Sequence, residues 1–282
     1  MSSEFKYTWE EAVIWLKSQP DQIDLVKYCY YDDPIELAAE RYYASEEWAS
    51  VQSLLSNRIP SRVLDIGAGR GISTYAFAKS GCEVTALEPN SSSVVGVGAI
   101  KHLSEYANIP IEIVQSYGEK LPLPDAHFDI VYGRAVFHHA QDIRQLCREI
   151  ARVLKPGGML IFTREHVISK IEDLPRFLNT HALHHLYGGE NAYLLKDYLT
   201  AIQESGLTVE KVLKPYDSAI NYAPITSSQI RDRLVAKVKR IVGMTVANRL
   251  MSNRILFDMA KSLMSDLSDE PGRLYTFTAV KS

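Results

Sequence analysis

The sequence predicts an α/β protein with a mostly parallel sheet, preceded by helices and interrupted by more helix before its last strand. Two patterns predict it. From Arg62 onward, short apolar strands alternate with helices of about 10–17 residues, which is the signature of βαβ units. The stretch VLDIGAGRG, Val63–Gly71, then sets three glycines at the turn leaving the first strand and entering the first helix of that series.

Residues 8–56 read as helical. In DDPIELAAERYYASEEWASVQSLL, Asp33 is placed to cap a helix and Pro34 to occupy its first turn, where a missing N–H costs nothing. RVLDI is strand one, GISTYAFAKSG a helix ending at Gly81, and EVTAL strand two. SSSVVGVGAIKHLSEYA reads as a helix, IEIVQ as strand three and FDIVYG as strand four. QDIRQLCREIARVL is strongly periodic helix, KPGG turns the chain, and GGMLIFTRE is strand five. A long irregular stretch follows. NAYLLKDYLTAIQESG is then a helix, LTVEKVLKP strand six and RLYTFTAV strand seven. The expected organisation is an N-terminal helical cap (1–58), a core (59–223), a helical insertion (224–272) and a final core strand (273–282).

Composition narrows the class. The chain of 282 residues is 46% hydrophobic and 23% charged, ordinary for a globular protein. Its formal net charge of -3 gives no global attraction to nucleic acid, and no nucleic-acid partner is expected. Cys29, Cys82 and Cys147 form no CxxC pair, zinc pattern or disulfide framework, which points to a reducing, cytoplasmic setting. The opening residues show neither the charged nor the apolar region of a signal peptide. No apolar run approaches the roughly 20 residues that cross a bilayer.

The glycine turn at Gly67, Ala68, Gly69 and Gly71 offers backbone N–H groups at the positive end of a helix dipole. Glu88 ends the second strand, 23 residues after Asp65, where an acidic side chain can take both hydroxyls of a ribose. Pro89 then turns the chain away. The spacing is not G-x-G-x-x-G, because Ile72 stands where a dinucleotide fingerprint has its last glycine. Asp65 would repel a pyrophosphate and suit a cation. The ligand is therefore expected to have a ribose and a positive end, and S-adenosylmethionine fits.

VLDIGAGRG, ALEPN, GEKLPLPDAHFDIVYGRAVFHH and LCREIARVLKPGGMLIFTRE together resemble the successive motifs of class I S-adenosylmethionine-dependent methyltransferases that act on small molecules. The resemblance covers roughly residues 60–165. It implies a Rossmann-like seven-stranded sheet with the last strand antiparallel. It also implies that Gly67, Gly69 and Gly71 pass beneath the methionine part of the cofactor, that Asp65 faces its amino end, and that Glu88 holds the ribose. Where the family usually has an acidic residue for the adenine amine, this chain has Tyr117, with Gly118 and Glu119 as neighbouring polar contacts. Arg134 reads either as a partner of the methionine carboxylate or as a surface ion pair.

The acceptor side is expected in the loops beyond the strand ends. The stretch after strand five contains His166, His181, His184, His185, Tyr187 and Glu190. His185, His184 and His166 are the candidate general bases, with His185 slightly preferred. No metal is expected, because the adjacent His138 and His139 should point apart and the HxxHH group shows neither supporting carboxylates nor a third well-spaced ligand. YCYYDD reads either as packing in the cap or as a lid. The Asn/Asp-Pro-Pro-aromatic loop of many amine methylators is absent, YGRA standing there instead. This favours O-methylation of a small-molecule or glycan acceptor, with a non-catalytic cofactor-binding protein as the alternative. In the insertion's stretch SSQIRDRLVAKVKRIVGMTVANRLMSNR, Ile230, Leu234, Val235, Val238, Ile241 and Val242 recur at helical spacing among seven basic residues and one acidic, Asp232. That helix packs on the core with its charges solvated, or makes peripheral contact with an anionic surface. The oligomeric state is not legible.

Overall fold

The computed structural model describes residues 6–282; residues 1–5 of the expected cap lie outside it. Among the described residues eight strands form one sheet: β1 Arg62–Ile66, β2 Glu83–Leu87, β3 Glu112–Val114, β4 Phe128–Arg134, β5 Leu154–Ile168, β6 Tyr193–Leu194, β7 Leu207–Leu213 and β8 Arg273–Lys281. The order is β3-β2-β1-β4-β5-β8-β7, with the two-residue β6 added beside β5. β8 runs antiparallel to both β5 and β7. This is the expected sheet with one small strand more. Tyr193 and Leu194 extend to pair with Val167 and Ile168, so the helix predicted from Asn191 begins only at Leu195.

Among the described residues fourteen α-helices flank the strands. Those before the sheet are α1 Trp9–Lys17, α2 Ile23–Tyr28, α3 Ile35–Tyr43 and α4 Glu46–Leu55. Within it come α5 Ile72–Lys79, α6 Val97–Ala107, α7 Ile143–Val153, α8 Leu174–Thr180, α9 His184–Tyr187, α10 Leu195–Glu204 and α11 Ala219–Tyr222. The insertion holds α12 Ser227–Val242, α13 Met244–Ser252 and α14 Arg254–Asp266. No helix among the described residues is long and apolar enough to cross a membrane.

Strand alternation distributes the core between two layers. In β1, Val63 packs with α3, α4 and α5 around Tyr42, Trp48 and Phe77. Its neighbour Leu64 packs with α7 and α10 around Ile150 and Tyr198. α7 is the clearest case of pattern dictating packing: Ile143, Leu146, Cys147 and Ile150 are buried, and Asp142 caps the backbone N–H groups of Arg144 and Gln145.

Several expectations are corrected. Asp33 does not cap α3, whose N-cap is Pro34 without a side-chain bond; its carboxylate pairs with Lys17 and Arg70 instead. The segment SSSVVG is not helical, and α6 begins at Val97 because Gly96 and Gly98 press against the backbone of Asn90 and Ser93. The stretch after β5 is not irregular but folds as a 3-10 turn, α8 and α9. In α12, Ile230, Leu234 and Val235 are buried, but Ile241 is 86% exposed: the helix outruns the small core it shares with α13 and α14.

Candidate active site

At the carboxyl ends of β1, β2, β4 and β5 lies a cavity of about 1010 Å³. That is the upper end of the roughly 300–1,000 Å³ typical of small-molecule sites, which leaves room for a cofactor and an acceptor together. One wall is the glycine turn. Gly67 and Gly69 adopt φ of +62° and +53°, left-handed values that glycine takes without strain. A Cβ on Gly67 would stand 2.3 Å from Val136 Cγ2, whereas one on Gly69 would meet nothing within 4 Å and project into open space.

Glu88 sits beside this turn, 7% exposed. One of its oxygens accepts the N–H of Gly69 and the other the N–H of Asn90, each at 2.8 Å. A carboxylate has about four lone-pair sites, so one on each oxygen stays available to a diol. Asp65 does not line the cavity. It is buried beneath the turn, where Oδ2 accepts Ser73 Oγ at 2.8 Å and Thr74 Oγ1 at 2.6 Å. Its Oδ1 has no partner in the protein, and burial pushes the carboxyl up to about 6 despite those two bonds.

Gly67, Ala68, Gly69, Glu88 and Pro89 line one part of the cavity, and Tyr117, Gly118, Glu119 and Arg134 another. Gly71 is elsewhere: it starts α5, and its α-carbon faces Ile100 of α6. Tyr117 is 70% exposed at the rim, and Glu119 is held by the N–H of Gln141 at 2.9 Å. Arg134 is neither a free anion receptor nor a surface residue. Glu47 of α4 takes its Nε and Nη2 at 2.7 and 3.2 Å, and Tyr30 lies against the guanidinium at 5.2 Å. Sequence reasoning missed Glu47, because nothing near it marks it as other than a helix surface residue.

The residues present fit S-adenosylmethionine. A bidentate glutamate suits its ribose, the open space at Gly69 admits it against backbone, and the orphaned Asp65 oxygen beneath that turn supplies negative charge for its ammonium without lining the cavity.

The N-terminal segment roofs the cavity. Tyr28, Cys29, Tyr30 and Tyr31 line it, so YCYYDD covers the site rather than packing elsewhere. Arg70, 6% exposed, ties that roof to the glycine turn by donating to the carbonyls of Tyr30 and Asp32 at 2.9 and 3.1 Å. Trp9 of α1 packs on Tyr31 and on Tyr187, with ring centroids 5.7 and 4.6 Å away.

The same cavity holds a chamber of imidazoles. The 3-10 turn Phe137–His139 is anchored by Phe137, which stacks on Phe162 at 4.3 Å. It turns both His138 and His139 towards the cavity, against the expectation that they diverge. His166 from β5, and His181 and Glu190 from the segment beyond it, complete the group. Glu190 Oε1 accepts the hydroxyl of Tyr187 at 2.6 Å. Its Oε2 lies 3.7 Å from His138 Nε2, 3.8 Å from His181 Nε2 and 3.9 Å from His139 Nε2. Behind His138, Glu165 takes Nδ1 at 2.6 Å.

Charge in this chamber is uneven. Burial would lower His138, but Glu165 and Glu190 outweigh it and raise it to about 9. Burial and the His138 charge push His166 well below its usual value; burial also lowers His139 and His181. Glu190 is held well below the ordinary carboxylate range, the histidines overcoming its burial.

Of the three candidate bases, only His166 lines the cavity. His185 is exposed on α9, its Nε2 bonded to the carbonyl of Asn179 at 2.8 Å, and His184 on the same helix is also outside the lining. A one-turn helix aims neighbouring side chains apart, which spacing in a loop could not reveal.

This fold and pocket agree with the comparisons to known proteins. Residues 64–162 match the family model described as "Methyltransferase domain". Over that region the chain is similar to class I S-adenosylmethionine-dependent methyltransferases, whose cofactor is S-adenosyl-L-methionine. It is 32% identical over 162 residues to the uncharacterized methyltransferase YcgJ of Bacillus subtilis, a match covering 52% of this chain and 60% of that protein. It is 34% identical over 159 residues to a sarcosine/dimethylglycine N-methyltransferase of Halorhodospira halochloris, covering 54% and 52%. The chain thus spans about half to three-fifths of the length of these relatives. Others are named as S-, O- and C-methyltransferases. Among solved structures, an S-adenosylmethionine-dependent methyltransferase of Mesorhizobium loti shares the fold with a TM-score of 0.56 at 20% identity, covering 85% of this chain and 100% of that one.

Proposed function

We propose that the protein transfers a methyl group from S-adenosylmethionine to a hydroxyl of a small polar acceptor, a polyhydroxylated compound or glycan being the class that suits the chamber. One observation carries this reading: the glycine turn with Glu88 and the histidine chamber line one and the same cavity.

When bound, S-adenosylmethionine supplies a methyl group already activated by its sulfonium. The protein's work is alignment, exclusion of water and removal of one proton. Gly67, Gly69 and Glu88 orient the cofactor end, and the Arg70-tethered roof excludes water. Holding two reactants in line is worth roughly 7–11 kcal/mol. His166 Nδ1 lies 2.6 Å from the carbonyl of Gly272, so the proton is assigned there and the lone pair to Nε2. Kept neutral by burial, that nitrogen receives the acceptor's proton. Tyr187 and Glu190 supply hydrogen bonds for neighbouring hydroxyls.

The test is a panel of alcohols, sugars, amines and thiols, scored by S-adenosylhomocysteine release. Turnover of hydroxylated compounds is expected; turnover confined to amines or thiols overturns the O-methylation reading.

A further inference from the structure

We propose that His138, His139 and Glu190 form a binding site for one first-row divalent metal ion of the Zn2+ type, at the acceptor end of the cavity. The ligand atoms are His138 Nε2, His139 Nε2 and Glu190 Oε2, which all lie within 4.8 Å of one another.

The hydrogen bonds behind these atoms carry the argument. His138 Nδ1 is engaged by Glu165 at 2.6 Å and His139 Nδ1 by the carbonyl of Gly189 at 2.9 Å. An imidazole that donates from Nδ1 presents a lone pair at Nε2. With both rings neutral, two such lone pairs face the same Glu190 oxygen at 3.7 and 3.9 Å, acceptor against acceptor, beyond hydrogen-bond range. His138 is 1% exposed and its Nε2 has no hydrogen-bond partner. A cation between them resolves the conflict. Without one, a second proton on His138 must.

The dimensions suit an ion. Bonds of about 2.0–2.1 Å in tetrahedral geometry put ligand atoms about 3.4 Å apart. The two nitrogen–oxygen separations, 3.7 and 3.9 Å, need to contract by only a few tenths of an ångström, and the two ring nitrogens lie within 4.8 Å of each other. Carboxylate and carbonyl partners on Nδ1 are also what fix the orientation of metal-bound histidines. Two histidines and a glutamate leave a coordination position open, as catalytic zinc sites do. His181, which also lines the cavity, stands next to the group, its Nε2 3.8 Å from Glu190 Oε2. The ion's role in catalysis, which rests on the proposed O-methylation, is to bind the acceptor oxygen and make its proton easier to lose.

The experiment titrates the chelator-stripped full chain with Zn2+ by calorimetry and measures bound metal after desalting. One ion per chain is expected. Glu190→Gln and His139→Ala should each weaken binding at least 100-fold. Glu165→Gln should weaken it 10–100-fold through His138. His185→Ala, outside the cavity, should bind like the native chain, and S-adenosylmethionine affinity should hold in every variant. Failure of the native chain to retain Zn2+, or equal retention by Glu190→Gln and His139→Ala, overturns the site and assigns the cluster to a proton-bridged pair of carboxylates. Zinc uptake without turnover of any hydroxylated acceptor would instead keep the site and overturn the O-methylation reading.

Discussion

Glu88 accepts the backbone N–H of Gly69 at 2.8 Å, joining the end of the second strand to the turn after the first. The residue that should hold the ribose is therefore also a brace for the glycine turn. Its second oxygen accepts Asn90 N–H at the same distance, so the carboxylate is oriented before any ligand arrives.

Glu88→Ala removes two acceptors for the ribose, each worth on the order of 1.5–3 kcal/mol as charge-assisted bonds. S-Adenosylmethionine affinity should fall at least tenfold while the circular dichroism spectrum keeps its native shape. Calorimetry showing native affinity would remove Glu88 from the cofactor site.

The two glycines of the turn should separate cleanly on substitution. In Gly67→Ala the new Cβ meets Val136 Cγ2 at 2.3 Å, so stability itself should drop. In Gly69→Val the side chain meets no protein atom near its Cβ and occupies ligand space, so the loss should fall on binding. Each also bears the strain of a positive φ. Melting curves and cofactor titrations of both variants check this; a Gly69→Val chain that binds normally would exclude the turn from the site.

Asp65 provides a pH signature. Its folded pKa, raised by burial from 3.8 to about 6, exceeds the unfolded value. The neutral form is thus the one the empty fold prefers, and the contribution present below pH 3.8 is lost as pH rises through about 6. A ligand ammonium reverses that preference by favouring the carboxylate. Cofactor affinity should therefore rise between pH 5 and 7 and level off above. Asp65→Asn should flatten the profile, weaken binding and stabilise the empty chain at pH 8. A native profile in Asp65→Asn would assign the dependence elsewhere.

The histidines divide by location. His166→Ala should lower turnover roughly 10²–10⁴-fold with cofactor binding intact. His185→Ala should leave turnover unchanged, since that ring is spent on Asn179 outside the cavity. Single-turnover rates on an acceptor from the panel test both; equal rates in the native chain and His166→Ala would mean another group takes the proton.

The chain's local pattern determined most of the scaffold. Strand and helix periods, the glycines at 67, 69 and 71, and Glu88 at a strand end are short-range signals, because backbone geometry makes them so. Where a feature depended on distant partners, local reading stopped. Asp33 looked like a cap and is an ion-pair partner of Arg70; Arg134 looked available and is claimed by Glu47, 87 positions earlier. The chamber is the clearest example. Nothing adjacent in sequence joins His138 to Glu165 or Glu190, and the two consecutive histidines are expected to point apart. A 3-10 turn pinned by Phe137, a carboxylate from β5 and another from the segment after α9 converge only once the sheet has brought its strand ends together. Burial then decides the chemistry, since the low dielectric that makes these charges interact exists only in the folded protein.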